Sequence, residues 1–279
     1  MPTPNSTKTT TKIDIDEIID AFGIDVDSPE PMKVAATEET TRVYKVNRPD
    51  LIDNLYIIDT PSGRDVACKP HVVGRALESA CFRAALEAVK IIDNLLNASK
   101  EKTVVMEHIL RAAPGYKLDK AFEHYHSNMR LREVWIRPRY TKPSYRDHGE
   151  DSRKLEVVYE DFRELPPDTN FTLLKPDTEA TGASSEKAIE RTMEEAEKIG
   201  SKIDRVILYG FISQEALQLL RGIAEENDFN LIALAMEDVM ELAYNKYDMP
   251  LYGLDLSYWE NFKKRRRLSS IVPYAVLED

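Results

Sequence analysis

Cysteine is nearly absent from these 279 residues: only Cys68 and Cys81 occur. They are too few and too far apart for a zinc or redox motif and read as reduced or buried thiols. No apolar run approaches the roughly 20 residues that span a bilayer, and the opening MPTPNSTKTTTK holds no hydrophobic signal core. The chain is expected to be cytoplasmic, with no membrane partner. Positive charge is also in deficit. A net charge of -11 opposes general affinity for nucleic acid. The run KKRRR at Lys263 to Arg267 is a local exception, either a solvated or dimer-facing helix end or a nucleic-acid contact. His108, His124, His126 and His148 share no spacing that makes a metal site, so none is expected. What is present, 42% hydrophobic and 31% charged residues, suffices for a substantial core in one large domain or two small ones.

Residues 1–12 have the composition of a frayed tail. Residues 13–68 read as an N-terminal, helical extension packing on the core, with an amphipathic stretch at Ile13 to Phe22 that Pro29 and Pro31 end. Within it, the apolar run Tyr56 to Ile58 and the turn Pro61-Ser62-Gly63 suggest a small strand and hairpin. From residue 69 onward strands and helices alternate. A helix is expected over Val72 to Leu96, a strand over Thr103 to Glu107, a loop over His108 to Tyr116, a helix over Leu118 to Met129 and a strand over Glu133 to Ile136. Residues 137–154 (RPRYTKPSYRDHGEDSRK) are basic and show no core-like period, which suggests a long exposed loop or hairpin, with Leu155 to Tyr159 as the returning strand. Strands at Arg205 to Phe211 and Leu231 to Ala235 flank a helix at Gln214 to Glu226. The pattern predicts an α/β fold with a mostly parallel sheet and helices on both faces, its ligands at the carboxyl ends of the strands.

The stretch FTLLKPDTEATGASS, Phe171 to Ser185, is the most informative. A buried strand from Phe171, Leu173 and Leu174 ends in an acid. Small residues from Ala180 to Ser185 follow, where an anion could approach backbone N–H groups. A helix comes next, with Ile189, Thr192, Met193, Ala196 and Ile199 at helical spacing and Gly200 as its stop, and its positive end points at the same loop. The loop lacks the Gly-Lys-Ser/Thr ending of a Walker loop. It carries one glycine where a dinucleotide fingerprint needs three. Taken alone, it is either a capped helix start or a phosphate cradle.

Three loops, in order, resemble those of type I phosphoribosyltransferases, and most resemble the uracil phosphoribosyltransferase branch, over roughly residues 69–257. Pro176 to Ser184, PDTEATGAS, is similar to the DPMLATGGS motif, with Ala180-Thr181-Gly182 in place. Ile109 to Ala113, ILRAA, resembles ILRAG, and Tyr247 to Ser257, YDMPLYGLDLS, resembles YIVPGLGDAGD at Pro250 and Gly253. The basic segment 137–154 falls where that family carries a mobile hairpin. The chain departs at Pro176, which stands where the family has an acid, and at Ala113 and Ala183, which replace glycines. It departs most in the base segment, where Leu251 and Tyr252 replace Gly-Leu.

The resemblance implies transfer of a phosphoribosyl group from phosphoribosyl pyrophosphate to a nitrogenous base, with Mg²⁺ carried on the phosphates. It implies that Ala180, Thr181, Gly182, Ala183 and Ser184 hold the 5′-phosphate, and that Asp177 accepts from the ribose hydroxyls with Glu179 beside it. Ala112, Arg111, Arg137 and Arg139 would meet the pyrophosphate, and Met249, Pro250, Tyr252, Gly253 and Asp255 the base. A homodimer is the family's usual assembly. The departures in the base segment leave two functional classes open, an enzyme and a non-catalytic regulator that binds the same ligand.

Overall fold

The computed structural model describes residues 32–38, 41–69, 72–97, 103–110, 113–126, 131–141, 154–242 and 249. Its strands are β1 (Met32–Glu38), β2 (Thr41–Arg48), β3 (Ile52–Asp59), β4 (Val104–Ile109), β5 (Arg132–Tyr140), β6 (Leu155–Asp161), β7 (Asn170–Pro176), β8 (Lys202–Ser213) and β9 (Asn230–Met240). Its helices are α1 (Pro61–Cys68), α2 (Arg75–Asn97), α3 (Leu118–Tyr125), α4 (Ala183–Lys198) and α5 (Gln214–Asn227), with a 3-10 turn at Ala113–Tyr116. All nine strands join one sheet in the order β1-β2-β3-β9-β8-β7-β4-β5-β6. The pairs from β3 through β9, β8, β7 and β4 to β5 are parallel, while β1-β2, β2-β3 and β5-β6 are antiparallel. This is the mostly parallel α/β fold that the alternation predicts.

The central strands are buried on both faces, and their side chains alternate between two cores, as the two-residue period of a strand requires. Met106, Leu174, Ile207, Tyr209 and Leu234 meet α1, α2 and α3 through Val66, Ala84, Ala88, Ile92 and Phe122. Val105, Leu173, Val206, Leu208 and Ala233 meet α4 and α5 through Ile189, Leu217 and Leu220. Among the described residues no helix is long and apolar enough to cross a membrane. Cys81 lies in the first core, where burial pushes its thiol up to about 12, an unreactive state. The side chain of Cys68 lies outside the described residues.

Several boundaries differ from the sequence reading. Where it is described, the stretch 13–68 is strands β1–β3, continuous with the main sheet, followed by α1, and not a helical extension. Residues 1–12 and Ile13 to Phe22 lie outside the described residues. Pro61-Ser62-Gly63 is the first turn of α1 and not a hairpin turn. Thr60 caps it by accepting from the Gly63 N–H at 2.8 Å, and Pro61 sits at the helix start, where its missing N–H costs nothing. The helix expected to reach Met129 ends at Tyr125. The strand expected to end at Ile136 runs to Tyr140 and takes Arg137 and Arg139 into the ladder, paired antiparallel with β6. The flanks of the basic segment therefore form a hairpin, and its tip, 142–153, lies outside the described residues. The strand after α5 also runs on, past Ala235 to Met240, interrupted by Glu237 at φ 69°.

Candidate functional site

The loop between β7 and α4 hugs the next strand before it turns into the helix. The Asp177 and Glu179 N–H groups donate to the Tyr209 and Phe211 carbonyls, and the Ser213 N–H returns a bond to the Glu179 carbonyl. Ser213 Oγ also donates to the Ala180 carbonyl. Gly210 makes this fit possible. Its φ is +147°, and a Cβ there would stand 2.0 Å from the Asp177 carbonyl oxygen and 2.9 Å from the Tyr116 ring.

The loop ends on Gly182, whose left-handed φ of +78° lets α4 begin without a side-chain cap. The first intrahelical bond is Glu186 N–H to the Gly182 carbonyl. The N–H groups of Ala183, Ser184 and Ser185 therefore precede the ladder, and Ala183 has only a long 3.4 Å contact with Thr181 Oγ1. Gly182 also packs closely, since a Cβ there would lie 3.2 Å from Ala216 Cα and 3.2 Å from Leu219 Cδ2 on α5. Three amides at the positive end of a 16-residue helix, with half-buried Ala180, Thr181, Ala183 and Ser184 around them, are groups that can receive an anion.

The structure brings the end of the loop 108–116 to this cradle through Tyr116, which is fully buried. Its hydroxyl shares a 2.7 Å hydrogen bond with Thr178 Oγ1 and accepts from the Phe211 N–H at 3.2 Å. Of the expected pyrophosphate-loop residues, Arg111 and Ala112 lie outside the described residues, while Ala113 is buried in the 3-10 turn. Arg137 and Arg139 are exposed on β5, and their side chains make no hydrogen bond or ion pair among the described residues. Of the expected base segment, Met249 packs half-buried on the core that carries α2, and Pro250, Tyr252, Gly253 and Asp255 lie outside the described residues.

Both acids of the loop are buried. Asp177 is 5% exposed, and its Oδ1 accepts from the Thr178 N–H at 2.8 Å. Glu179 accepts from Ser185 Oγ and lies 3.8 Å from Lys175 Nζ, which in turn lies 3.1 Å from Glu107 Oε2. The last contact is one of charge and not a directed hydrogen bond, since neither atom has a hydrogen-bond partner among the described residues. Glu107 Oε1 accepts from Thr192 Oγ1 at 2.6 Å. Burial pushes the Glu179 carboxyl up, and Lys175 and Ser185 offset this only in part. For Lys175, burial favours the neutral amine, but the charges of Glu107, Glu179 and Asp177 outweigh it and hold the ammonium above its usual range.

The sequence reading missed this network as well as Tyr116 and Gly210. Its signal was available, because Glu107 follows Val104-Val105-Met106 and Lys175 follows Leu173-Leu174 in strands with few polar residues, a pattern that places a charge inside and not on a surface.

Among the described residues, one group of metal-ligand type converges, His108, Asp119 and Glu133, with atoms within 4.8 Å of one another. They come from β4, α3 and β5, so sequence spacing could not reveal them. Their partners are already protein groups. His108 Nε2 lies 3.2 Å from Glu133 Oε1, its ring stacks 4.1 Å from that of Trp135, and Lys120 Nζ lies 3.7 Å from Asp119 Oδ2. The hydrogen bond from His108 holds the Glu133 carboxyl below its usual range, so the acid is already paired.

No sequence-family profile matches this chain, and neither does any curated protein. Solved structures do. Adenine phosphoribosyltransferase from Rhodothermus marinus is 15% identical, with 55% of this chain and 78% of that one aligned at a TM-score of 0.36. The Trypanosoma brucei adenine phosphoribosyltransferase, solved with AMP, pyrophosphate and ribose-5-phosphate, is 12% identical over 67% of this chain and 86% of its own, at 0.40. Hypoxanthine phosphoribosyltransferase from Trypanosoma cruzi, with IMP, is 13% identical over 48% and 67%, at 0.32.

Proposed function

We propose that this chain binds phosphoribosyl pyrophosphate over residues 178–185 and transfers its phosphoribosyl group to a nitrogenous base, uracil-like or other, releasing pyrophosphate. The supporting observation is the start of α4: a positive-φ glycine with no side-chain cap, after a parallel strand, in a loop bonded through Thr178 to Tyr116. The amides of Ala183, Ser184 and Ser185, with the hydroxyls of Thr181 and Ser184, hold the 5′-phosphate. Arg111, Arg137 and Arg139 meet the pyrophosphate, which leaves from a carbon that becomes cationic, so electrostatics and alignment carry the rate. Asp177 and Glu179 are buried and already bonded within the protein, so Mg²⁺ would be held by the pyrophosphate itself and would supply neutralisation of its charge. Met249 to Asp255 take the base, and the chain works as a homodimer.

One observation favours a second reading, a non-catalytic sensor of the same ligand. Pro176 stands where an acid is expected, and the next acid, Asp177, is buried and bonded to the backbone. The loop then grips the phosphate more firmly than the ribose. The two readings separate when the protein is incubated with phosphoribosyl pyrophosphate, Mg²⁺ and a panel of bases. Pyrophosphate release that depends on one base and is lost in Gly182→Val supports transfer. Saturable binding with no release under any base supports the sensor.

A further inference from the structure

Three fully buried charges lie beneath the proposed phosphate loop. The register Met106↔Leu174 between β4 and β7 places Glu107 beside Lys175, and Glu179, four residues on, approaches the same ammonium from the loop. Helix α4 is tied to both carboxylates, at Ser185 to Glu179 and at Thr192 to Glu107. Seven residues separate these hydroxyls, which is two helical turns on one face. Lys175 therefore holds the two acids that fix where α4 begins, and with it the direction of the first-turn amides.

The charges do not balance. With both carboxylates ionised, one ammonium faces two anions in a site without solvent, and the further charge nearby, Asp177 from the loop, is also acidic. Ser185 contributes its hydroxyl to Glu179 and its N–H to the proposed cradle, so a phosphate bound there lies one residue from the excess charge. A second anion at that distance favours protonation of the carboxylate it faces.

We propose that Glu107, Lys175 and Glu179 are the positioning cluster of the phosphate loop, and that a phosphate dianion bound over the first turn of α4 draws one proton from solvent onto Glu179. The inference rests on the phosphate reading above and adds to it a proton that the ligand itself does not carry. No bond other than the new carboxyl O–H forms. Lys175 stays an ammonium, and Glu179 as an acid keeps an oxygen for Ser185 Oγ.

The test is calorimetric titration of the wild-type chain with ribose 5-phosphate between pH 7 and 9, in paired buffers of different ionisation enthalpy. A phosphate monoester, with its second pKa of about 6, has already lost its own proton in that range. The expected result is heat that differs between buffers, corresponding to uptake of up to one proton, and an affinity that falls by up to tenfold per pH unit where uptake is complete. Glu179→Gln keeps an acceptor for Ser185 and should bind with no uptake and a flat profile. Buffer-independent heat in the wild type, or uptake that persists in a folded Glu179→Gln, overturns the inference while leaving the phosphate site standing. Absence of saturable heat from the wild type overturns the phosphate site and the inference with it. If Glu179→Gln does not fold, the wild-type buffer series alone decides.

Discussion

Helices α4 and α5 start at the ends of neighbouring parallel strands, and their first turns are built in opposite ways. Ser213 closes α5: its Oγ accepts from the Ala216 N–H at 3.0 Å and donates to the Ala180 carbonyl. Helix α1, after β3, is closed twice, by Thr60 Oγ1 and by Glu237, whose Oε1 accepts from the Thr60 N–H at 2.9 Å. Helix α4 receives no side chain and begins on Gly182. Helix α3 also lacks a side-chain cap and, like α4 with Glu186, carries an acid in its first turn, Asp119, but it starts on the left-handed Lys117 and not after a run of small residues. Orphan amides at a helix start need a partner, and at α1 and α5 the protein supplies one. At α4 it supplies small residues and space, while burying both nearby acids that could have served as caps. The contrast is what favours the start of α4 for the proposed anion site.

The largest expected effect comes from the glycine that lets the α4 loop lie against β8. Gly210→Ala puts a Cβ 2.0 Å from a backbone oxygen at a positive φ, and should cost about 3 kcal/mol or more by displacing the loop from the strand. Chemical denaturation of the variant measures it, and a loss under 1 kcal/mol contradicts the packing described here. Tyr116→Phe should cost about 1–3 kcal/mol, because it strands the buried Phe211 N–H and Thr178 hydroxyl. It should also weaken ligand binding, separating a loop tie from a mere core contact.

The closed start of α1 carries a pH signature. Burial pushes the Glu237 carboxyl up to about 9, with the Thr60 N–H and Arg64 opposing and Asp59 adding to the rise. The folded protein then holds a proton that the unfolded chain releases near 4.5. Stability contributed by this group is full below that pH and declines toward 9, at up to about 1.4 kcal/mol per pH unit. Denaturation midpoints from pH 5 to 9 should flatten in Glu237→Gln, and a slope unchanged by that substitution contradicts the neutral buried acid. The smallest effect belongs to α1, where Thr60→Ala should cost about 1 kcal/mol in a thermal melt and leave ligand affinity within a factor of about two.

Much of this architecture is visible in the sequence. The strand, loop and helix of residues 170–200 follow from the apolar Phe171, Leu173 and Leu174 and a helical period, and the structure reproduces them within a few residues. The β5–β6 hairpin was one of two readings of a basic, aperiodic stretch. Helix α1 was hidden because Pro-Ser-Gly is turn chemistry unless a preceding threonine caps it and an acid 174 residues downstream of Gly63 closes its start. The buried cluster was hidden for a different reason. Glu107 is far in sequence from Lys175 and Glu179, and charge is ordinarily read as surface; only the apolar runs before the first two, Val104 to Met106 and Leu173-Leu174, mark them as interior.

The central claim is that the uncapped first turn of α4 holds the phosphate of a phosphoribosyl ligand. Titration of phosphoribosyl pyrophosphate with Mg²⁺ into the wild type, Gly182→Val and Thr60→Ala, each confirmed folded by a cooperative melt, tests it most directly. The account predicts saturable binding in the wild type and in Thr60→Ala and none in Gly182→Val, where a branched side chain must enter a positive φ and press on Ala216. Equal affinity in wild type and Gly182→Val, or no binding in the wild type, would contradict it.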